Sequence, residues 1–169
     1  MPELTIRLAR DEDLPRLHAV IERAYRGEEA RSGWTHEADL LEGTRTDIPT
    51  LRAILARPGE RLLMISRADT PVGCVQVSDR GNGMAYLGLL CVDPTLQAGG
   101  IGKRLVEAAE QCARTAFAAS DIEMTVIENR VELIAYYERR GYVRTEERRD
   151  FPFAVVPPLY MAVLVKSLG

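Results

Sequence analysis

The chain has 169 residues, of which 46% are hydrophobic and 28% charged. That length reads as one domain over residues 1–169, able to bury roughly 70% of its unfolded surface without staples, and the composition excludes a disordered chain. Lys and Arg number 22 against 25 Asp and Glu, a net charge of −3; this excludes the clustered basic excess of a general nucleic-acid binder and still allows a local basic pocket for an anionic ligand.

The first strand is predicted over Thr5 to Ala9. Asp11 then stands as an N-cap with Pro15 about one turn in, and Leu14, Leu17, Ile21 and Tyr25 follow at helical spacing. The polar stretch from Arg26 to Asp47 carries a second cap signal at Thr35 and a short helix through Leu41. Another short helix, about Thr50 to Ala56, ends at Arg57-Pro58-Gly59. Three strand-like runs come next: Arg61 to Ala68, Pro71 to Ser78 and Met84 to Val92. The turn chemistry of Ala68-Asp69-Thr70-Pro71 and of Asp79-Arg80-Gly81-Asn82-Gly83 joins them as antiparallel hairpins.

A long amphipathic helix then runs from Ile101 to Ala118, with Ile101, Leu105, Ala109, Cys112 and Ala116 on one face. Ile122 to Ile127 is a strand. Arg130 to Arg140 is a helix, started by Asn129 with Glu132 as a capping box and stopped by Gly141. Tyr142 to Glu147 and Leu159 to Ser167 close the chain as strands. The order β-α-α-β-β-β-α-β-α-β-β predicts a mixed α/β fold: a central, largely antiparallel sheet flanked by helices on both sides.

Cys74, Cys91 and Cys112 lie far apart in the sequence without a CxxC pair. They predict neither a disulfide framework nor a zinc site, so no metal is expected, and they read as buried thiols in a reducing cytoplasm. The start MPELTIRLAR lacks the apolar core of a secretory signal, and the apolar run from Ala85 to Val92 is far short of the ~20 residues that span a bilayer. A cytoplasmic chain with no membrane partner is expected.

The sharpest local signal is VDPTLQAGGIGKRL, Val92 to Leu105. It runs strand, Pro94 turn, glycine loop, helix. Gly99, Gly100 and Gly102 let backbone approach a ligand closely, at a helix N-terminus whose unpaired N–H groups and dipole attract anions. Lys103 and Arg104 add charge at the rim. A P-loop fails at both ends, with Gln97 for its first glycine and Arg104 where Ser or Thr should follow Lys103; a dinucleotide fingerprint fails at Leu105.

The loop resembles the Q/R-x-x-G-x-G/A signature of the GNAT N-acetyltransferase superfamily, as Gln97-Ala98-Gly99-Gly100-Ile101-Gly102. A second signature, YYERRGY from Tyr136 to Tyr142, is similar to the family's Y-E-K-x-G-F, and the element order agrees along nearly the whole chain. The resemblance implies an acyltransferase that moves acetyl from acetyl-CoA to a primary amine by direct attack, through a tetrahedral intermediate. It implies a pyrophosphate cradle of backbone amides at Gln97, Ala98, Gly100, Gly102 and Lys103, where each bond to a charged acceptor contributes ~1.5–3 kcal/mol. It also implies a pantetheine arm pairing with the backbone of Leu90 and Val92, and a Leu90 amide that polarises the thioester carbonyl. Tyr137 matches the family's tyrosine. That phenol either protonates the departing thiolate, roughly 2 kcal/mol uphill from unperturbed pKa values, or holds the sulfur by a hydrogen bond, or packs in the core with Ile134.

Two departures stand out. The family often carries a Glu general base where Tyr86 stands here, and a free amine costs about 4.6 kcal/mol to deprotonate at pH 7. A water chain to a carboxylate such as Glu123, or an acceptor of low pKa, would meet that cost. Many members also place an Asn on pantetheine where this chain has Arg130; Asn129, one residue early, either contacts the cofactor or caps the helix. His18, beside the apolar face of its helix, reads as structural. Trp34, the only tryptophan, lies with His36, Glu37 and Arg45 in a segment resembling a bacterial subgroup with a WT-x-E pattern. Trp34, Glu37 and Arg45 are the candidate contacts for a small, charged amine acceptor; a packed Trp with solvated charges is the plainer reading. A homodimer stays open. A non-catalytic acyl-CoA sensor on the same fold is the rival function, and a nucleotide switch falls on the absent Ser/Thr after Lys103.

Overall fold

A computed structural model describes residues 3–32, 46–151 and 156–169. Its seven strands are β1 (Leu4–Leu8), β2 (Glu60–Arg67), β3 (Thr70–Gly81), β4 (Met84–Val92), β5 (Asp121–Ile127), β6 (Val143–Asp150) and β7 (Tyr160–Ser167). They form one sheet in the order β1-β2-β3-β4-β5-β7-β6. Every neighbouring pair is antiparallel except β4 with β5. That exception follows from the connection: a parallel neighbour needs a crossover, and the helix α3 (Ile101–Phe117) supplies it.

The other helices are α1 (Leu14–Ser32), α2 (Ile48–Ala56) and α4 (Val131–Glu138). Leu14, Leu17 and Ile21 of α1 and Leu51 and Ile54 of α2 pack with Leu62, Met64, Cys74 and Cys91 on one face of the sheet. Ile101, Leu105 and Ala109 of α3 and Ile134 and Tyr137 of α4 pack with Val75, Val77, Leu87, Ile122 and Leu164 on the other. The expected mixed sheet with helices on both sides is the observed architecture. No helix of the described residues is long and apolar enough to cross a membrane.

Several boundaries differ from the sequence reading for local reasons. Asp11 does not cap α1; it opens a 3-10 turn over Asp11–Asp13. The Asp13 carboxylate closes that turn by accepting the Arg10 N–H at 2.8 Å, and it pairs with Arg7 at 2.8 Å. Helix α2 starts two residues early because Asp47 accepts the Thr50 N–H at 2.8 Å. Asn129 forms no capping box: α4 has Arg130 at its N-cap with no side-chain cap bond, and Glu132 pairs with Arg130 at 2.8 Å. Gly141, at φ +97°, does stop the chain after α4. The buried stripe of α3 runs through Ile101, Leu105, Ala109 and Ala113, leaving Cys112 half-buried and Ala116 exposed. The Thr35 cap and the helix through Leu41 lie outside the described residues.

All three cysteines are free thiols. Cys74 and Cys91, far apart in sequence, are cross-strand partners on β3 and β4. His18 is structural as read: its Nε2 lies 2.9 Å from the Thr46 carbonyl oxygen and ties α1 to the approach to α2.

Candidate active site

The sheet opens in its middle. β4 and β5 pair through Met84↔Asp121, Ala85↔Ile122 and Tyr86↔Glu123 and no further. β4 continues on β3 to Val92, whereas β5 stays on β7 to Ile127. The cause is a bulge. Gln76 faces Gly88 and Cys74 faces Cys91, so β4 carries one residue more than β3 between those rungs. Leu89 absorbs it at φ +46°, left-handed backbone that costs a non-glycine residue roughly 1–2 kcal/mol. A bulge bends its strand and adds twist, here turning the end of β4 away from β5. The β5-facing edge of β4 from Leu87 to Val92 therefore has no strand partner among the described residues.

The split leads to the glycine loop. At the end of β4 the Asp93 carboxylate accepts the Thr95 N–H at 3.0 Å and the Thr95 hydroxyl at 2.8 Å, and pairs with Arg23 of α1 at 3.0 Å. This pins a 3-10 turn over Pro94–Gly99, which carries the backbone of Gln97 and Ala98. Gly100 then adopts φ +73°, and a Cβ placed there would meet nothing within 4 Å. Its glycine is required by the backbone, and the space beside it is open. The N-terminus of α3 has no side-chain cap and no acid in its first turn, while Lys103 and Arg104 are exposed. At Gly102 a Cβ would touch only Val92, at 3.8 Å. An uncapped helix N-terminus, an open approach and two cations suit a pyrophosphate, so the residues present fit the CoA group that the sequence motif implies.

Tyr137 projects from α4 into the core at 7% exposure. Its ring meets Tyr136 at 5.3 Å and Tyr142 at 6.0 Å, both edge to face. Leu90, Val92 and Leu96 are partly buried against the same hydrophobic cluster. Burial, with Tyr136 adding, pushes the Tyr137 phenol up to about 12, against the opposing charges of Arg130 and Arg140. Among the described residues no hydrogen bond of its hydroxyl is seen, and Arg140 Nε is the one buried side-chain polar atom without a partner. Tyr136 lies half-buried under the Arg140 guanidinium at 3.8 Å, a packing role. Tyr142 instead donates to Glu110 at 2.9 Å, and Lys166 bonds the same carboxylate at 3.0 Å.

On the opposite face, where the split begins, Tyr86 reaches across to β5. Its hydroxyl lies 2.8 Å from Thr125 Oγ1, and the Arg80 guanidinium covers its ring at 4.5 Å. Glu123, 9% exposed, accepts two bonds from Arg149 at 3.3 Å each, and Arg149 also holds Glu147 at 2.7 Å. The carboxylate considered above for a water chain is thus bound in an ion pair.

Leu90 and Val92 lie on the unpaired end of β4, Gly100, Gly102 and Lys103 at the start of α3, and Tyr137 on α4. Asn129 lies in the turn between β5 and α4. Trp34, Glu37 and Arg45 lie outside the described residues. Sequence reasoning missed the Leu89 bulge, Thr125 and Arg149. A period-two pattern reads alike with or without one added residue, and nothing local announces a partner on another strand, whether the neighbouring β5 for Tyr86 or β6, two strands over, for Glu123.

The chain matches the model of the acetyltransferase (GNAT) family over residues 14–142. A curated relative, the IAA acetyltransferase of Azospirillum brasilense, is 34% identical over 89 residues, spanning 52% of this chain and 58% of that protein's length. Among solved structures, the ribosomal-protein-S18-alanine N-acetyltransferase of Escherichia coli superposes with a TM-score of 0.75 at 15% identity, covering 99% of this chain and 95% of the other. The PaiA N-acetyltransferase of Thermoplasma acidophilum, in complex with coenzyme A, gives 0.74 at 17%, covering 98% and 99%. YncA of Salmonella typhimurium, a putative acetyltransferase with its cofactor acetyl-CoA, gives 0.73 at 15%, covering 99% and 95%. At these identities the superpositions establish a shared fold.

Proposed function

Since the chain belongs to the GNAT acetyltransferase family, we propose that it is an acetyl-CoA-dependent N-acetyltransferase acting on a primary amine of a small molecule or a protein N-terminus. The observation that carries this is the continuity between the β4/β5 split and the uncapped N-terminus of α3. Acetyl-CoA, when bound, supplies an acetyl group activated as a thioester. The amides of Gln97, Ala98, Gly100, Gly102 and Lys103 hold its pyrophosphate. The backbone of Leu90 and Val92 holds the pantetheine arm, with Asn129 at its flank, and the Leu90 N–H stabilises negative charge on the carbonyl oxygen. Tyr137, protonated at physiological pH, donates a hydrogen bond to the leaving sulfur. Trp34, Glu37 and Arg45 receive the acceptor amine.

Structural neighbours include a spermidine N-acetyltransferase chimera and the S18-alanine enzyme, which makes polyamine-like and N-terminal amines the first acceptors to try. One observation favours a second reading, an acyl-CoA sensor: the usual Glu position is Tyr86, and nearby Glu123 is bound to Arg149. A panel of amines with acetyl-CoA, read by thiol release, separates the two. Release stimulated by an amine supports the transferase; tight acetyl-CoA binding without release under any amine supports the sensor.

A further inference from the structure

Along β4, from the glycine loop inward, the unpaired edge runs from Val92 to Leu87 and ends at Tyr86, and the Leu89 bulge leaves Gly88 and Tyr86 on the face opposite Leu90 and Val92. Tyr86 marks where β4 and β5 rejoin. Tyr86 is restrained on three sides there. Its hydroxyl is tied 2.8 Å from Thr125 Oγ1, two residues beyond the final β4–β5 rung, so the bond spans the split just where it opens. The Arg80 guanidinium covers the ring from β3. A Cβ on Gly88 would lie 3.1 Å from Tyr86 Cε1, so the ring lies against backbone that only glycine leaves clear. A half-buried tyrosine can satisfy its hydroxyl with water; this one is bonded across the two strands where the split begins.

We propose that Tyr86 is the end wall of the acyl pocket and that its tether to Thr125 restricts the bound thioester to acetyl. The inference rests on the acyl-CoA reading above and concerns acyl length, which that reading leaves free. The acetyl methyl fits short of the ring, and each further methylene meets it. Removing the ring extends the pocket over Gly88. Removing only the tether lets the ring swing.

Dissociation constants of acetyl-, propionyl- and butyryl-CoA, measured by calorimetry without any acceptor, test this. The wild type should bind acetyl-CoA at least tenfold more tightly than butyryl-CoA. Tyr86→Ala should bind butyryl-CoA at least as tightly as acetyl-CoA, since two methylenes newly buried favour binding by about tenfold. Thr125→Val, which keeps the shape and loses the bond, should narrow the preference to about threefold, and it carries the test alone if Tyr86→Ala fails to fold by circular dichroism. A wild type indifferent to acyl length, or an acetyl preference unchanged in the folded variants, overturns the end wall. Failure of the wild type to bind any of the three thioesters overturns the acyl-CoA reading itself.

Discussion

A phenol at about 12 facing a thiol near 8.5 makes full proton transfer from Tyr137 uphill by about 5 kcal/mol. The burial that raises this cost also keeps the hydroxyl protonated as a donor, so a hydrogen bond to the sulfur is the role the environment favours. Bonds to charged acceptors contribute about 1.5–3 kcal/mol. Tyr137→Phe should therefore lower kcat by about 10- to 100-fold and leave acetyl-CoA affinity within threefold; a kcat within threefold of wild type would assign the ring to packing. The same shift predicts alkaline behaviour. The unfolded phenol ionises near 10 and the folded one near 12, so the unfolded state loses its proton first. Stability is full below pH 10 and falls as pH rises toward 12, by up to about 3 kcal/mol for this residue. Tyr142, also pushed up by burial and by Glu110, adds to the loss. Urea unfolding across pH 9–12 should show a shallower decline in Tyr137→Phe; an identical decline would mean that the Tyr137 phenol is not buried in solution.

The strands and helices were legible because hydrophobic period and turn chemistry agreed with each other: β4 matches its predicted span, and α3 differs by one residue at its end. What was not legible depends on partners. Asp47 and Asn129 look alike as caps, yet Asp47 makes its bond and α4 takes Arg130 at the N-cap. Asp47→Ala should cost about 1 kcal/mol, while Asn129→Ala should stay within about 0.5 kcal/mol; equal losses in chemical denaturation would contradict the observed caps. The glycines before α3 separate in a similar way. Gly100 is required by its φ of +73°, whereas Gly102 sits in ordinary helix with room for a Cβ inside the fold. Gly102→Ala should thus hold or raise the melting temperature, since Ala is the better helix former by about 1 kcal/mol, and still weaken CoA binding by crowding the amides. Gly100→Asp should lower the melting temperature and abolish the CoA-induced thermal shift, normally ~2.7 kcal/mol at 100 times the dissociation constant. An undiminished shift in Gly100→Asp would remove the phosphate role from the loop.

At the scale of the molecule, the sheet carries α3 and α4 on one face and α1 and α2 on the other. The α3 N-terminus and Tyr137 belong to the core on the face covered by α3 and α4. The segment bearing Trp34, Glu37 and Arg45 follows α1 and precedes α2, whose buried residues pack on the opposite face. Asp93 is a described link between the two sides, bonding Arg23 of α1 while shaping the turn before α3. That tie runs through the Asp93 side chain and not through the glycines of the loop, so acceptor and cofactor affinities should vary independently. An aromatic face over a cation contributes ~0.5–2 kcal/mol, and a carboxylate paired with a desolvated ammonium costs more than that when removed. Trp34→Ala and Glu37→Gln should each raise KM for the best acceptor by about tenfold or more and leave KM for acetyl-CoA within a factor of two. Parallel loss of both affinities would make the segment a structural support for the cofactor loop. An unchanged acceptor KM in both variants would move the acceptor toward the stretch beginning at Phe151, which follows β6 and precedes β7 on the far side of the split.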